Sequence, residues 1–424
     1  MEDFGGIMET LCAPRWQDRK PGLDRMAALL ALLGDPQKQL RFVHITGTNG
    51  KGSTAAMLAA VLTAAGYSTG LFTSPHLRRY NERIRVDGRE ISDGELSALL
   101  EEVRPLLARL GEKPSQFELL TALGLLYFQR KGCDLAVLEV GMGGRLDPTN
   151  VIPVPEAAVI TAVGLDHTAY LGTTVPQVAG EKAGIIKPGC EVILSHQNRE
   201  VLDVVAARCA DTGARLTVTA PEALTVTAHS LDGQRFSYRD RQDLRIALLG
   251  PYQTQNAAAA LDAADALRRR DWTIPEEALR QGLTSASWPG RFEVLQRRPD
   301  LIVDGAHNPN GAAALADCLR TYLPNRPVTF VMGVMADKDS AGMLDLMAPL
   351  ARSFVTVTPD SSRALDAAAL AADIRSRFGL TVRDAGTVED GVALALSDAG
   401  PEDAVCVFGS LYQVGTVRAM FGRE

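Results

Sequence analysis

The segment Gly47-Thr48-Asn49-Gly50-Lys51-Gly52-Ser53 constrains this chain more than any other. It follows RFVHIT (41–46), whose β-branched apolar run reads as a buried strand. It leads into STAAMLAAVLTAAG, which reads as a helix closed by Gly66 at its C-terminus. Strand, glycine turn and helix in that order imply a parallel sheet covered by helices. The glycines let the backbone curl so that several N–H groups face one anion, and the helix N-terminus adds positive potential. Lys51 can reach the β- and γ-phosphates of a nucleotide, and Ser53 or Thr54 can place a hydroxyl on Mg²⁺. The loop departs from the strict Walker pattern. Ile45 stands where that pattern has glycine, and Gly52 separates Lys51 from Ser53. The flanking strand and helix favour a phosphate loop over a ligand-free glycine turn.

The same alternation of β-branched runs and Ala/Leu-rich stretches continues along the chain, an α/β pattern. Ser115 followed by Glu118 forms a capping box that opens the helix FELLTALGLLYFQR. DLAVLEV (134–140) and AAVITAV (157–163) read as strands, and Pro176 falls early in a helix, where proline is tolerated. LDRMAALLALLG near the N-terminus reads as a packing helix. From about 212 to 249, RLTVTA, LTVTAHS, RFSYRD and RIALLG read as a small β excursion before the helical QNAAAALDAADALRRR. SASWPGR (285–291) has no periodicity and marks a boundary. A fresh βα series follows it: LIVDGAHNPNG, VTFVMGVMADKD, SFVTVTP and AVCVFGS. The expectation is a P-loop-type parallel-sheet ATP-binding domain over 1–286 and a smaller Rossmann-like domain over 287–424. Two domains also suit a chain of 424 residues.

A net charge of -7 argues against a nucleic-acid partner held by a general basic field. No apolar run approaches the roughly 20 residues that span a bilayer. The opening MEDFGGIMET lacks the basic start and apolar stretch of a secretory signal. Six cysteines are scattered with no C-x-x-C pair, which points to neither zinc nor disulfides and suits a reducing cytoplasm.

Three further residues lie at the ends of later elements. Glu139 closes DLAVLEV ahead of Gly141, Gly143 and Gly144; a hard oxygen at a strand end suits Mg²⁺, and structure and function are equally good readings of it alone. His167, in GLDHTAYLG, is by itself more often structural, and imidazole is not the preferred magnesium ligand. Lys182, in GEKAGIIKPG, reads by sequence alone as an exposed helix lysine.

Taken in order, GTNGKGS (47–53), TSPHL (73–77) with NERI (81–84), EVGMGGRLDPTN (139–150), GLDHTAYLG (164–172), GEKAGIIKPG (180–189), SWPGRFE (287–293) and DGAHNPNG (304–311) resemble the folate branch of the Mur ligase superfamily. The resemblance spans almost the whole chain, and the inserted Gly52 is the form of the loop in this branch. It implies a Mur ligase-like fold and an ATP-dependent amide ligase. The activity implied is addition of L-glutamate to dihydropteroate, to the γ-carboxyl of tetrahydrofolate, or to both, through an acyl phosphate. Gly47, Thr48, Asn49, Gly50, Lys51, Gly52, Ser53 and Thr54 then hold ATP with Asn256, Arg291, Asp304 and His307. Ser53 and Glu139 match ligands of one Mg²⁺; Glu139 and His167 match ligands of a second, with Ser74 nearby. Lys182 matches a lysine carried as a carbamate, an adduct that requires a neutral amine. Lys51, Lys182, His167 and Arg291 are thereby the catalytic set. Phe117, Thr121, Arg145 and Asp147 are pterin-side candidates, with packing an equal alternative.

Charge on the transferring phosphoryl group calls for Lys51 and Arg291 around it. The labile acyl phosphate calls for domains that close over a hinge near 285–290. The resemblance further implies a monomer, and a monovalent-cation requirement in some relatives. Two other readings remain. A cell-wall Mur ligase would carry a UDP-binding domain ahead of the loop, and only 46 residues precede it here. A P-loop switch module would hydrolyse nucleotide under a partner's control, and the DGAHNPNG domain favours the ligase instead.

Overall fold

β1 (Phe42–Thr46), β2 (Thr69–Phe72), β3 (Ile84–Val86), β4 (Arg89–Glu90), β5 (Leu135–Glu139), β6 (Ala157–Ile160), β7 (Glu191–Leu194) and β8 (Arg215–Val218) make one sheet. Their order is β4-β3-β2-β5-β1-β6-β7-β8. The six strands from β2 to β8 pair in parallel, and β3 and β4 are antiparallel additions at one edge. This is a computed structural model, and it describes residues 4–12 and 22–423. β1 and β5 are buried at every position, as expected of parallel strands covered on both faces.

One face carries helices Asp24–Leu32, Asp93–Leu107 and Gln116–Arg130, packed with Phe42, Phe72 and Phe128. Met26, Leu29 and Leu30 fall at helical spacing and are the residues that the first of these buries. The Ser115–Glu118 box forms as read: the Glu118 N–H donates to Ser115 Oγ (3.1 Å), and the Ser115 N–H donates to the Glu118 carboxylate (2.7 Å). Helices Val175–Ala183 and Arg199–Thr212 cover another patch with Ile160, Ile186 and Val192. Helix Lys51–Ala64 is almost wholly buried, with helix Glu276–Ser285 against it. Each fully buried Leu or Phe contributes roughly 1.5–3 kcal/mol, so the loops at the strand ends stand on a rigid base.

RLTV, expected to open the β excursion, instead extends the main sheet as β8, in register with β7 from Glu191↔Arg215 to Leu194↔Val218. The excursion itself is a three-stranded sheet of β9 (Leu224–Ser230), β10 (Gly233–Tyr238) and β11 (Arg241–Ile246).

β12 (Glu293–Gln296), β13 (Asp300–Val303), β14 (Val328–Met332), β15 (Ala351–Val357), β16 (Val382–Gly386) and β17 (Ala404–Phe408) form a third sheet, ordered β12-β13-β17-β14-β15-β16. All pairings are parallel except β12 on β13. Its core centres on Phe330, whose ring lies 5.3 Å from Phe354 and 5.4 Å from Phe408.

The chain divides into two compact units: Met1–Thr225 with Phe236–Arg245 and Gln255–Ser287, and Val226–Arg235 with Ile246–Thr254 and Trp288–Glu424. Two stretches ahead of SASWPGR thus join the C-terminal residues. Their bonds explain this: Gly250 N–H donates to Tyr322 Oη (3.0 Å), and Asp232 pairs with Arg297 (3.0 Å). No helix among the described residues is long and apolar enough to cross a membrane.

Candidate active site

The turn after β1 is laced to residues 161–164. Thr48 and Asn49 N–H groups both donate to Ala162 O (2.7 and 3.3 Å). Thr48 Oγ1 donates to Gly164 O (2.9 Å) and accepts the Gly164 N–H (3.0 Å). Thr161 Oγ1 donates to Asn49 O (2.7 Å). Gly50 then adopts a left-handed φ of 88°, and the Asn256 amide occupies the space a Cβ would need. Helix Lys51–Ala64 follows with no side chain capping it. Its first-turn N–H groups are the donors that this geometry offers an anion, while those of Thr48 and Asn49 are spent on Ala162. Ser53 and Thr54, the two hydroxyls that the sequence offers there, are both buried in the first turn of this helix.

Lys51 Nζ donates to Gly47 O (3.1 Å) and Thr48 O (3.3 Å). Lys182 Nζ donates to the same Gly47 O (2.8 Å). The reading of Lys182 as an exposed helix lysine is therefore corrected: it is 3% exposed. Helix Val175–Ala183 turns Val178, Ala179, Lys182 and Ala183 inward. That spacing was visible in the sequence, since Lys182 falls four residues after Val178 on the apolar stripe. Burial, with Lys51 as a neighbouring cation, brings its pKa down to about 7.

Glu139, 3% exposed, is paired in register with Ile45 at the end of β1. Its Oε2 accepts the Ser74 N–H (3.0 Å), which joins the TSPHL turn to the strand end. Thr46 Oγ1 donates to Gly143 O (2.6 Å), drawing the following glycine segment in as well. His167 stands at a left-handed φ of 48°, its N–H donating to Asp166 Oδ1 (2.8 Å) and its ring half exposed. One cavity is lined by Gly47, Thr48 and Lys51, the Val140–Gly143 segment, Asp166, His167, Leu171 and Lys182; Glu139 and Ser74 are not among its lining residues. Among the described residues no three His, Cys, Asp or Glu side chains gather as a metal-holding group.

Of the pterin-side candidates, Arg145 and Asp147 follow the Val140–Gly143 segment, while Phe117 and Thr121 stand on helix Gln116–Arg130. Phe117 packs under Gly141 and against Phe72, with ring centroids 5.8 Å apart. Thr121 is buried and its hydroxyl donates to Phe117 O (2.7 Å). Arg145 pairs with Glu181 (2.8 Å). Asp147 is buried, accepting Met142 N–H (2.9 Å) through Oδ2 and Thr149 N–H (3.0 Å) through Oδ1, so its carboxylate holds the loop that borders the cavity.

The second unit has its own cluster where β13 and β17 end. The Asp304 carboxylate accepts N–H groups of Phe292 and Ala306, each at 2.7 Å. His307 Nδ1 lies 2.8 Å from Gly305 O. Arg291 Nη1 donates to Gly290 O (3.2 Å). Gly409 N–H donates to Ala306 O (2.8 Å), and Ser410, buried, caps helix Leu411–Met420.

A nucleotide-type loop on a parallel sheet, joined to a second doubly wound unit, defines the class of the ATP-dependent Mur ligases. The chain matches the Mur ligase middle domain over residues 45–264 and the Mur ligase glutamate ligase domain over 290–411. It is 39% identical over 407 residues to the folylpolyglutamate synthase of Lacticaseibacillus casei, covering 93% of each chain. It is 36% identical to the dihydrofolate synthase/folylpolyglutamate synthase of Bacillus subtilis, covering 94% of each. The structure of Mycobacterium tuberculosis folylpolyglutamate synthase complexed with ADP superposes with a TM-score of 0.88 at 34% identity, over 99% of this chain and 98% of that one. The chain belongs to the dihydrofolate synthase/folylpolyglutamate synthase family of Mur ligases.

Proposed function

We propose that this chain uses ATP to join L-glutamate to dihydropteroate and to the γ-carboxyl of tetrahydrofolate, acting as a monomer in the cytoplasm. The observation that carries the reading is that the phosphate loop, Lys51, His167 and Lys182 line one cavity. A carboxylate resists an amine at neutral pH because the leaving group would be an oxide. Transfer of the γ-phosphoryl group to one carboxylate oxygen supplies a better one. Lys51 and the uncapped helix N-terminus offset the charge of the triphosphate, and Arg291 adds a second cation to the phosphoryl oxygens. The glutamate amine attacks the acyl carbon, phosphate leaves, and the amine sheds a proton. Leu171, beside His167, lends the cavity an apolar wall that helps exclude water from the acyl phosphate.

Two ions of Mg²⁺ suit the donors present. Ser53, Ser74, Glu139 and His167 would hold them, and one carboxylate with hydroxyls fits a cation that keeps waters and phosphate oxygens in its shell. When bound, magnesium supplies positive charge to the phosphate oxygens. A pKa of about 7 leaves much of Lys182 as neutral amine, the form a carbamate requires. The six cysteines, all buried, support a reducing compartment.

The test is phosphate release by the purified protein with ATP, Mg²⁺ and glutamate, adding dihydropteroate and tetrahydrofolate in turn. The expected result is release that depends on glutamate and on either pterin. Release that needs neither would overturn the ligase reading, and release with only one acceptor would remove the dual activity.

A further inference from the structure

Arg291 is flanked by two residues in left-handed backbone, Gly290 at φ 73° and Phe292 at φ 43°. For phenylalanine that conformation costs on the order of 1–2 kcal/mol, so something must hold it. Each flanking N–H is pinned by a carboxylate. Phe292 N–H donates to Asp304 Oδ2 (2.7 Å), and Gly290 N–H donates to Glu293 Oε2 (2.8 Å). Gly290 O in turn accepts the Gly305 N–H (2.9 Å). Gly305 has no side chain, and a Cβ there would collide with the Arg291 guanidinium and with Leu411. Arg291 therefore lies across the DGAHNP turn on a backbone fastened from three sides.

Glu293 is itself held from a distance of 125 residues. Arg418, in the last turn of helix Leu411–Met420, donates Nε to both its oxygens (3.0 and 3.3 Å). Both side chains are largely buried, at 22% and 14% exposure, so the pair is shielded from competing water. Neither residue entered the site as read from the sequence. We infer that Glu293 and Arg418 are positioning residues, which fix the direction of Arg291 through the Gly290 N–H and so set the rate of the phosphoryl-transfer step. This rests on the reading of Arg291 as the phosphate-contacting arginine of the proposed ligase.

The bland reading is that the pair merely tacks the last helix to β12. A double-mutant cycle separates the two. Initial rates of ATP-, glutamate- and pterin-dependent phosphate release would be measured for Glu293→Ala, Arg418→Ala, Arg418→Lys, Arg291→Ala and Glu293→Ala/Arg291→Ala, with melting curves as a folding control. Misaiming a transition-state contact costs up to roughly 100-fold in rate. Glu293→Ala is expected to lower kcat about 10- to 100-fold while shifting the ATP KM less than about threefold. Arg418→Lys should recover part of the rate lost in Arg418→Ala. The double variant should be no slower than Arg291→Ala alone, because the carboxylate acts only through that arginine. Wild-type kcat in Glu293→Ala, or losses that multiply in the double variant, would overturn the inference. Wild-type kcat in Arg291→Ala would overturn the underlying reading of that arginine, whatever Glu293→Ala does. If Glu293→Ala does not fold, the two Arg418 variants, each alone and with Arg291→Ala, decide it by the same criteria.

Discussion

Two turns in this chain share a plan and differ at one point. In the first unit, β1 runs into Gly47–Gly50 and helix Lys51–Ala64; in the second, β13 runs into Asp304–Asn308 and helix Pro309–Tyr322. The second helix is closed at its start: Asn308 Oδ1 accepts the Gly311 N–H (2.8 Å), and Pro309 has no N–H to offer. The first helix starts on a glycine with no capping side chain, and two lysines stand at its threshold. A capped start has satisfied its donors internally, whereas an uncapped start keeps them for a ligand. On the proposed reading, the first unit would grip an anion with backbone, and the second would work through side chains such as Arg291 and His307.

The strongest blow to that contrast is Lys51→Ala. Phosphate release should fall by roughly 10²–10³-fold or more, with the melting temperature nearly unchanged; substantial turnover in this variant would undo the assignment of the loop. Next comes Gly50→Ala. A side chain at φ 88° is strained and meets the Asn256 amide, so ATP affinity should drop about tenfold by calorimetric titration. Unchanged affinity would mean that the curl of the loop does not set the grip.

A smaller effect concerns Lys182. Its pKa of about 7 in the folded chain lies below the ordinary 10.5, so the unfolded chain binds more protons between those values and stability from this group rises with pH across that window. Lys182→Met should therefore melt higher than wild type near pH 6–7, with the gap shrinking by about pH 10. A gap that is constant with pH would show that the amine does not titrate there. The smallest expected change is Asn308→Ala. Loss of the cap should cost about 1 kcal/mol of stability and leave ATP affinity alone. A large loss of affinity in this variant would erase the distinction between the two turns.

Much of this was legible in the residues. Parallel strands buried on both faces read as continuous apolar runs, and the turns between them announce themselves with glycine, proline and helix caps. RLTV escaped because a short edge strand looks the same whether it extends a large sheet or starts a small one. Lys182 escaped because charge was weighed ahead of its helical position, and its burial depends on a hydrogen-bond acceptor, a carbonyl 135 residues earlier, that no local pattern shows. The links Glu139–Ser74 and Glu293–Arg418 join residues 65 and 125 apart, and no local pattern encodes such pairs. The positions of Glu139 and His167 could be read only as strand ends until the strand order put β5 and β6 on either side of β1.

Thr48 and Gly164 exchange two hydrogen bonds, and Ala162 takes two more from the same turn. The stretch that holds the imidazole of His167 is thus stitched to the stretch that holds Lys51. A substitution as mild as Thr48→Val would remove both Thr48–Gly164 bonds, three residues ahead of His167, while leaving the two that reach Ala162 in place.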